Sequence, residues 1–337
     1  MRIQSSKVLI NYIFYLLSLF FVIYLVNVVP DDLVWDRFNY YVFFDNSSDY
    51  LQRMEGVKDY LRGEYVFHYL NNFIYSMTGN PVYTKIFYLT FIAFGFTFLL
   101  FYHSKNIFIY LLSLLISFFI LPLVHLNIVA LRQAFALYIF LFFFSFCKNK
   151  RINLFVLFFV SLIHNSFFYI FIIYFINFFI ISEGRSFNFR LLLNGVFFLT
   201  TAFLFIIVGQ ILGFSQITDV YSLYGARGVG ATFLFVLFIF IIFYSFFKDD
   251  RSNKFYILLM LGLLNYLIFS IFVNASIAAR YYEIYLPIIF IFLASKFNRK
   301  SLIVFLILFL FYFMFHFSVE NLRSVYNINT NIFDYIF

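Results

Sequence analysis

Long apolar runs separated by short polar knots make up most of this chain. The runs cover residues 8–29, 83–102, 107–124, 128–146, 152–181, 191–214, 231–247, 255–273, 283–297 and 301–317. They are apolar on every side, so neither helical nor strand periodicity stands out, as expected for helices surrounded by other apolar matter. A membrane needs about 20 residues of helix to cross its hydrocarbon core, and most runs meet or approach that length. The alternation of a transmembrane barrel is absent from them. An all-α, polytopic integral membrane protein follows, because spanning backbone must satisfy its own hydrogen bonds.

One run does not fit a single crossing. Residues 152–181 would make a helix of about 45 Å at 1.5 Å per residue, long for one span and short for two. Lys and Arg beside a span favour the cytoplasmic side. Counted as one span, the run puts Lys248, Arg251, Lys254, Lys296, Arg299 and Lys300 outside; counted as two, it puts them inside with Arg185 and Arg190. The break is therefore expected at His164-Asn165-Ser166. About eleven spans result, with the N-terminus inside and the tail from Ser318 outside. The chain reads as one polytopic domain over 1–337. Its outer loops are 30–64, 215–230 and 274–282, and an amphipathic or re-entrant helix covers 65–79.

Composition fits this picture. Hydrophobic residues are 64% of the chain and charged ones 11%, too little charge for a soluble domain. The net charge of +8 sits mainly in the inner loops and implies no nucleic acid. Cys147 is the single cysteine, so neither a disulfide nor a thiolate metal site is available. The 60 phenylalanines accompany many Tyr, Ile, Asn and Lys, a bias that an AT-rich coding sequence produces without functional pressure.

Charge changes the picture where it breaks the inside bias. Arg132, Arg227 and Arg280 are outer-side cations at span ends. Arg132, about one turn into its span, either snorkels to headgroups or holds an anion, since guanidinium grips phosphate bidentately. Gln133 beside it adds a neutral donor. Ala130, Ala134 and Ala136 let another helix approach closely. Arg227 lies in the glycine-containing stretch Tyr221–Gly230, without the Gly-Lys-Ser/Thr of a phosphate loop. Arg280 either pairs with Glu283 or joins the anion site. His164 is a structural histidine or a proton-transfer group; His68, His125 and His316 are further outer-side histidines. Asp36 and Glu64 flank the first outer loop as solvated acids or as base and sugar ligand. Tyr40, Tyr41 and Tyr65 stack on sugar or belong to an aromatic belt. No two histidines show metal-ligand spacing, and no cofactor is expected.

The chain resembles the EpsG-like polymerases of bacterial polysaccharide assembly, relatives of the Wzy O-antigen polymerases. The carrying residues are Asp36 with Tyr40, Glu64-x-x-Phe67-x-x-Leu70, Arg132-Gln-Ala-Phe-Ala136, the basic turn Lys148–Arg151, His164-Asn-Ser166, Tyr221-x-x-Tyr224 and Arg280-Tyr281-Tyr282. Tyr65 and Val66 stand where the family often has Pro and Gly. The resemblance implies a metal-independent membrane glycosyltransferase in the bacterial cytoplasmic (inner) membrane, its active site facing outward. Its substrate would be undecaprenyl-diphosphate-linked oligosaccharide, embedded in membrane lipid, with a chain-length regulator protein as a further partner. Catalysis would fall to His164, Asp36 and Glu64. Arg132, Gln133, Arg227, Arg280, Tyr40 and Tyr281 would bind substrate. Two rival readings are a transferase using a polyprenyl-phosphate monosaccharide and a lipid-linked oligosaccharide flippase.

Overall fold

A computed structural model describes residues 2–34, 36–56, 59–60, 63–181, 185–212 and 230–316. Among them there are helices and no strands. The helices are α1 (Arg2–Val28), α2 (Arg37–Asp45), α3 (Ser47–Gln52), α4 (Tyr65–Thr78), α5 (Pro81–His103), α6 (Ile107–Ser117), α7 (Leu121–Ile128) and α8 (Leu131–Phe146). There follow α9 (Lys150–Ser161), α10 (Ser166–Phe175), α11 (Phe187–Leu212), α12 (Ala231–Phe246), α13 (Lys254–Phe272), α14 (Ala275–Lys296) and α15 (Arg299–His316). Among the described residues, five helices are long and apolar enough to cross a membrane, or six if the bent pair α6–α7 is one span.

The described residues fall into two compact units, drawn from Met1–Ile172 with Leu293–Phe337 and from Ile173–Phe292. In the first, α1 and α8 both pack on α5, and α9 packs on α8. Helix α1 buries one stripe, Tyr15, Leu19, Val22 and Val26, at helical spacing; Leu17, Phe20, Phe21 and Tyr24 point away. A helix that is apolar on both its protein face and its outer face belongs in lipid. Asn80 caps α5 by accepting the Val82 N–H, with Pro81 at its first position. Gly95 of α5 lets α8 approach: a Cβ there would lie 2.8 Å from Cβ of Tyr138. In the second unit Gly262 of α13 does the same beneath Tyr285, where an added Cβ would meet the ring at 2.1 Å. A polar cluster in that unit joins buried Asn177, Asn194 and Arg190, whose Nη1 donates to the Asn177 carbonyl at 2.6 Å.

Three expectations change. The run over 107–124 is not one straight span: α6 and α7 meet at 87°. Pro122 has no N–H for the ladder, and it disfavours helical geometry at Leu121. Residues 275–282, expected in a loop, are the first turns of α14. Arg132 is the second residue of α8, not one turn inside it, because α7 runs to Ile128 and the chain turns at Val129-Ala130. The expected break in 152–181 is present: α9 stops at Ser161 and α10 starts at Ser166. At 12 residues, α9 is about 18 Å long, shorter than the hydrocarbon core.

Replacing Gly95 with Ala drives a methyl into the Tyr138 side chain. Overpacking of this kind costs about 1–3 kcal/mol. The thermal unfolding temperature in detergent should drop, while Gly79→Ala, which meets no neighbour but carries a positive φ, should cost only about 1 kcal/mol.

Candidate active site

The site is built on α4, an inside-out helix. Glu64, Phe67, His68 and Asn71 recur at i, i+3, i+4 and i+7, the spacing of one helix face, and all are buried. Three of the four are polar. The opposite face carries Tyr69, Phe73 and Met77, which are 55%, 54% and 73% exposed. In water that arrangement would be backwards. It suits a helix whose outer side meets lipid and whose inner side lines a polar site. Gly79, in the left-handed conformation, ends the helix, its N–H on the Tyr75 carbonyl at 2.7 Å.

Glu64 precedes α4 with φ +52°, an unfavourable backbone for a residue other than glycine. Its carboxylate explains why it stays there. One oxygen accepts from Nη1 of Arg132. The other faces the Asn165 N–H at 3.4 Å, in the break between α9 and α10. Beside it the Val66 N–H donates to the Leu162 carbonyl at 3.1 Å. The start of α4 is thus docked on the interrupted helix and tied to the start of α8.

Arg132 is held on three aromatic faces. Its guanidinium carbon lies 4.9 Å from the Phe43 ring centre, 5.4 Å from Phe67 and 5.8 Å from Tyr40, within cation–π range. The Tyr40 hydroxyl is 3.5 Å from the Arg132 backbone N–H. Nη1 is committed to Glu64, whereas Nε makes no hydrogen bond. The cation also stands in the first turn of α8, where the helix end itself favours an anion. Gln133 is buried next to it.

His164 lies in the break. The Ser166 N–H points at its Nδ1 at 3.3 Å, and the Ser166 hydroxyl is 2.7 Å away. A backbone N–H can only donate, so Nδ1 accepts, and a neutral ring carries its proton on Nε2. Asp36 is exposed, also in left-handed geometry at φ +66°, one turn before Tyr40. Its Oδ1 accepts from Asn39 at 3.0 Å.

Six of the residues singled out from sequence therefore gather in the first unit: Arg132, Glu64, Tyr40, Gln133, Asp36 and His164. Arg280 and Tyr281 belong to α14 in the second unit, Arg280 exposed and Tyr281 packed edge-on against Phe269. Arg227 lies outside the described residues, as do Tyr221 and Tyr224.

A second charged cluster was missed. Asp31 accepts from Arg37 at 2.8 Å, from Lys85 at 2.8 and 2.9 Å, and from the Tyr41 hydroxyl at 2.5 Å. Buried Arg37 also caps α1 by donating to the carbonyls of Val26 and Val29. Burial raises the Asp31 pKa, but the bonds from Lys85, Tyr41 and Arg37 outweigh it and hold the carboxyl below its ordinary value. The signal was Lys85, a lone cation inside an apolar run that breaks the inside bias as Arg132 does.

The EpsG family model matches residues 11–337, nearly the whole chain. No curated protein and no solved structure matches it.

Glu64→Gln keeps the shape of the side chain and removes its charge. Taking one partner from a largely buried pair costs about 3 kcal/mol, so the thermal midpoint should fall. Arg132→Met in the same chain should restore much of the loss, since no charge is then left alone. Equal stability of Glu64→Gln and the parent chain would show that the pair holds nothing together.

Proposed function

The chain belongs to the EpsG family, and on that premise we propose that it polymerises a bacterial polysaccharide on the outer face of the cytoplasmic membrane. Its apolar helices and its family make it a multi-pass membrane protein of the polysaccharide-polymerase type. In this reading the donor is a growing glycan on undecaprenyl diphosphate. The acceptor is a hydroxyl of the next lipid-linked repeat unit. The acceptor oxygen bonds to the anomeric carbon as the bond from that carbon to the diphosphate oxygen breaks. The electron pair leaves on the diphosphate, and the hydroxyl proton passes to a base.

The observation that carries the reading is the caged Arg132. Charge develops on the departing diphosphate, and a fixed cation in a water-poor site stabilises it at no reorganisation cost. With Nη1 on Glu64, the edge formed by Nε and Nη2 is the one suited to two phosphate oxygens. Glu64 then positions the arginine and is not itself the base. His164, in the break between α9 and α10, contacts a phosphate or sugar oxygen in this reading. Asp36 keeps a carboxylate lone pair toward solvent and serves as a sugar-hydroxyl ligand in this reading.

Two tests follow. Polymer formed from purified lipid-linked repeat unit in proteoliposomes should vanish in Arg132→Ala. In Arg132→Lys it should fall by about 10²-fold, the scale of one lost transition-state donor, because a point charge cannot replace the planar fork. Full activity of Arg132→Lys contradicts the diphosphate role. Reporter fusions after Lys150, Lys254 and Lys300 should lie in the cytoplasm, and a C-terminal fusion outside; a cytoplasmic C-terminus contradicts the outward-facing site.

A further inference from the structure

The inner face of α4 holds a second histidine whose protonation is fixed by its neighbours. The Ser47 hydroxyl is 2.5 Å from the Phe43 carbonyl. A carbonyl can only accept, so the hydroxyl proton points there. Ser47 Oγ then offers lone pairs alone, and His68 Nδ1, 3.3 Å away, must donate to it. The neutral ring therefore carries its proton on Nδ1 and a lone pair on Nε2. This is the opposite tautomer to that of His164.

The ring is also fixed in orientation. Tyr50 stacks on it at 4.7 Å and 24°. Phe67 and Phe43 stand edge-on at 5.5 and 6.2 Å. Those two phenylalanines also carry the Arg132 guanidinium. His68 follows Glu64 by four residues, so the two side chains are neighbours on one helix face. Arg132 and His68 therefore share the Phe43 and Phe67 rings, and Glu64 pairs with the arginine one turn before the histidine.

Resting on the polymerase reading above, we propose that His68 Nε2 is the general base that takes the acceptor-sugar proton. The proton moves to Nε2 as the acceptor oxygen bonds to the anomeric carbon. It is then passed to water, and the diphosphate departs with the electron pair toward Arg132. The imidazolium formed is short-lived, and Glu64 one turn away offsets its charge. The charged groups facing the ring are Glu64 from its own helix and Arg132 from α8; α3 contributes Tyr50, and α2 only the apolar Phe43. Burial, opposed by Glu64 and aided by Arg132, pulls the His68 pKa down to about 4. The ring is then neutral, with its lone pair available, throughout the range in which an ordinary histidine titrates.

The test is polymerisation in proteoliposomes, with kcat and KM followed from pH 5 to 8. His68→Asn keeps a donor toward Ser47 and removes the Nε2 lone pair. It should melt within a few degrees of wild type and lose about 10²–10⁴-fold in kcat, with KM for the lipid-linked donor changed by less than about threefold. Wild-type kcat should be flat from pH 5 to 8. If it falls on acidification with a midpoint near 6.5, the assignment is overturned, whatever His68→Asn does. Wild-type kcat in a stably folded His68→Asn also overturns it, and so does a loss confined to Asp36→Asn. Absence of polymer from wild-type protein overturns the polymerase reading and this assignment together; polymer from wild type and equally from His68→Asn overturns this assignment alone.

Discussion

A guanidinium at the start of an apolar helix must find its counter-charge locally, and that constraint organises the first unit. Arg132 finds it in Glu64. An isolated charge in such surroundings would cost several kcal/mol. The pair avoids that cost only if α4 turns its polar face inward and if the chain between α7 and α8 turns where it does. The aromatic rings that complete the cage come from α2 and α4, so the placement of these short helices also follows from the same cation. Glu64 then carries the constraint into the α9–α10 break through the Asn165 N–H. One carboxylate thereby ties together three segments that are far apart in sequence.

The second charged node does a different job. Asp31 gathers two cations and a phenol, and the two terminal nitrogens of Arg37 also donate to the carbonyls of Val26 and Val29 at the end of α1. A cation at a helix C-terminus is favoured by the helix dipole. The net positive charge of the node is therefore offset by backbone as well as by the carboxylate. It anchors α1, α2 and α5 to one another, and α2 supplies Tyr40 and Phe43 to the Arg132 cage. The two nodes are thus linked through α2: the Asp31 node sets where that helix lies, and the Arg132 node uses two of its rings.

Much of this could be read from the sequence because charge is scarce in it. In a chain so apolar, an arginine in a span, an acid before a short amphipathic run and a His-Asn-Ser interruption stand out, and these residues converge. The bend at Pro122 was also legible in principle, since proline interrupts a helix ladder, but an unbroken apolar run masked it. The aromatic cage was not legible. With 60 phenylalanines in the chain, Phe43 and Phe67 carry no compositional signal, and only the fold sets them beside Arg132. Periodicity showed that 65–79 is amphipathic but not that its polar side faces inward; that sign depends on which solvent lies outside. Asp31 and Arg37 were hidden among other loop charges, because sorting charges by side of the membrane says nothing of which ones meet.

Backbone strain separates the residues held for their chemistry from those held for packing. Among the described residues, Asp36 and Glu64 are the two non-glycine residues with positive φ. Each stands immediately before a helix, α2 and α4. Neither side chain makes a capping hydrogen bond to its own helix, so capping does not account for them. Aspartate tolerates this region fairly well; glutamate does so less readily. Strained positions of this kind cost about 1–3 kcal/mol and persist where surrounding contacts over-determine them. Glycine would remove the strain at position 64 at once, but it would leave Arg132 without its counter-charge and the Asn165 N–H without its acceptor. The carboxylate and the strained turn are therefore one device: the turn aims Glu64 back across the start of α4, and the ion pair it reaches there holds the turn in place.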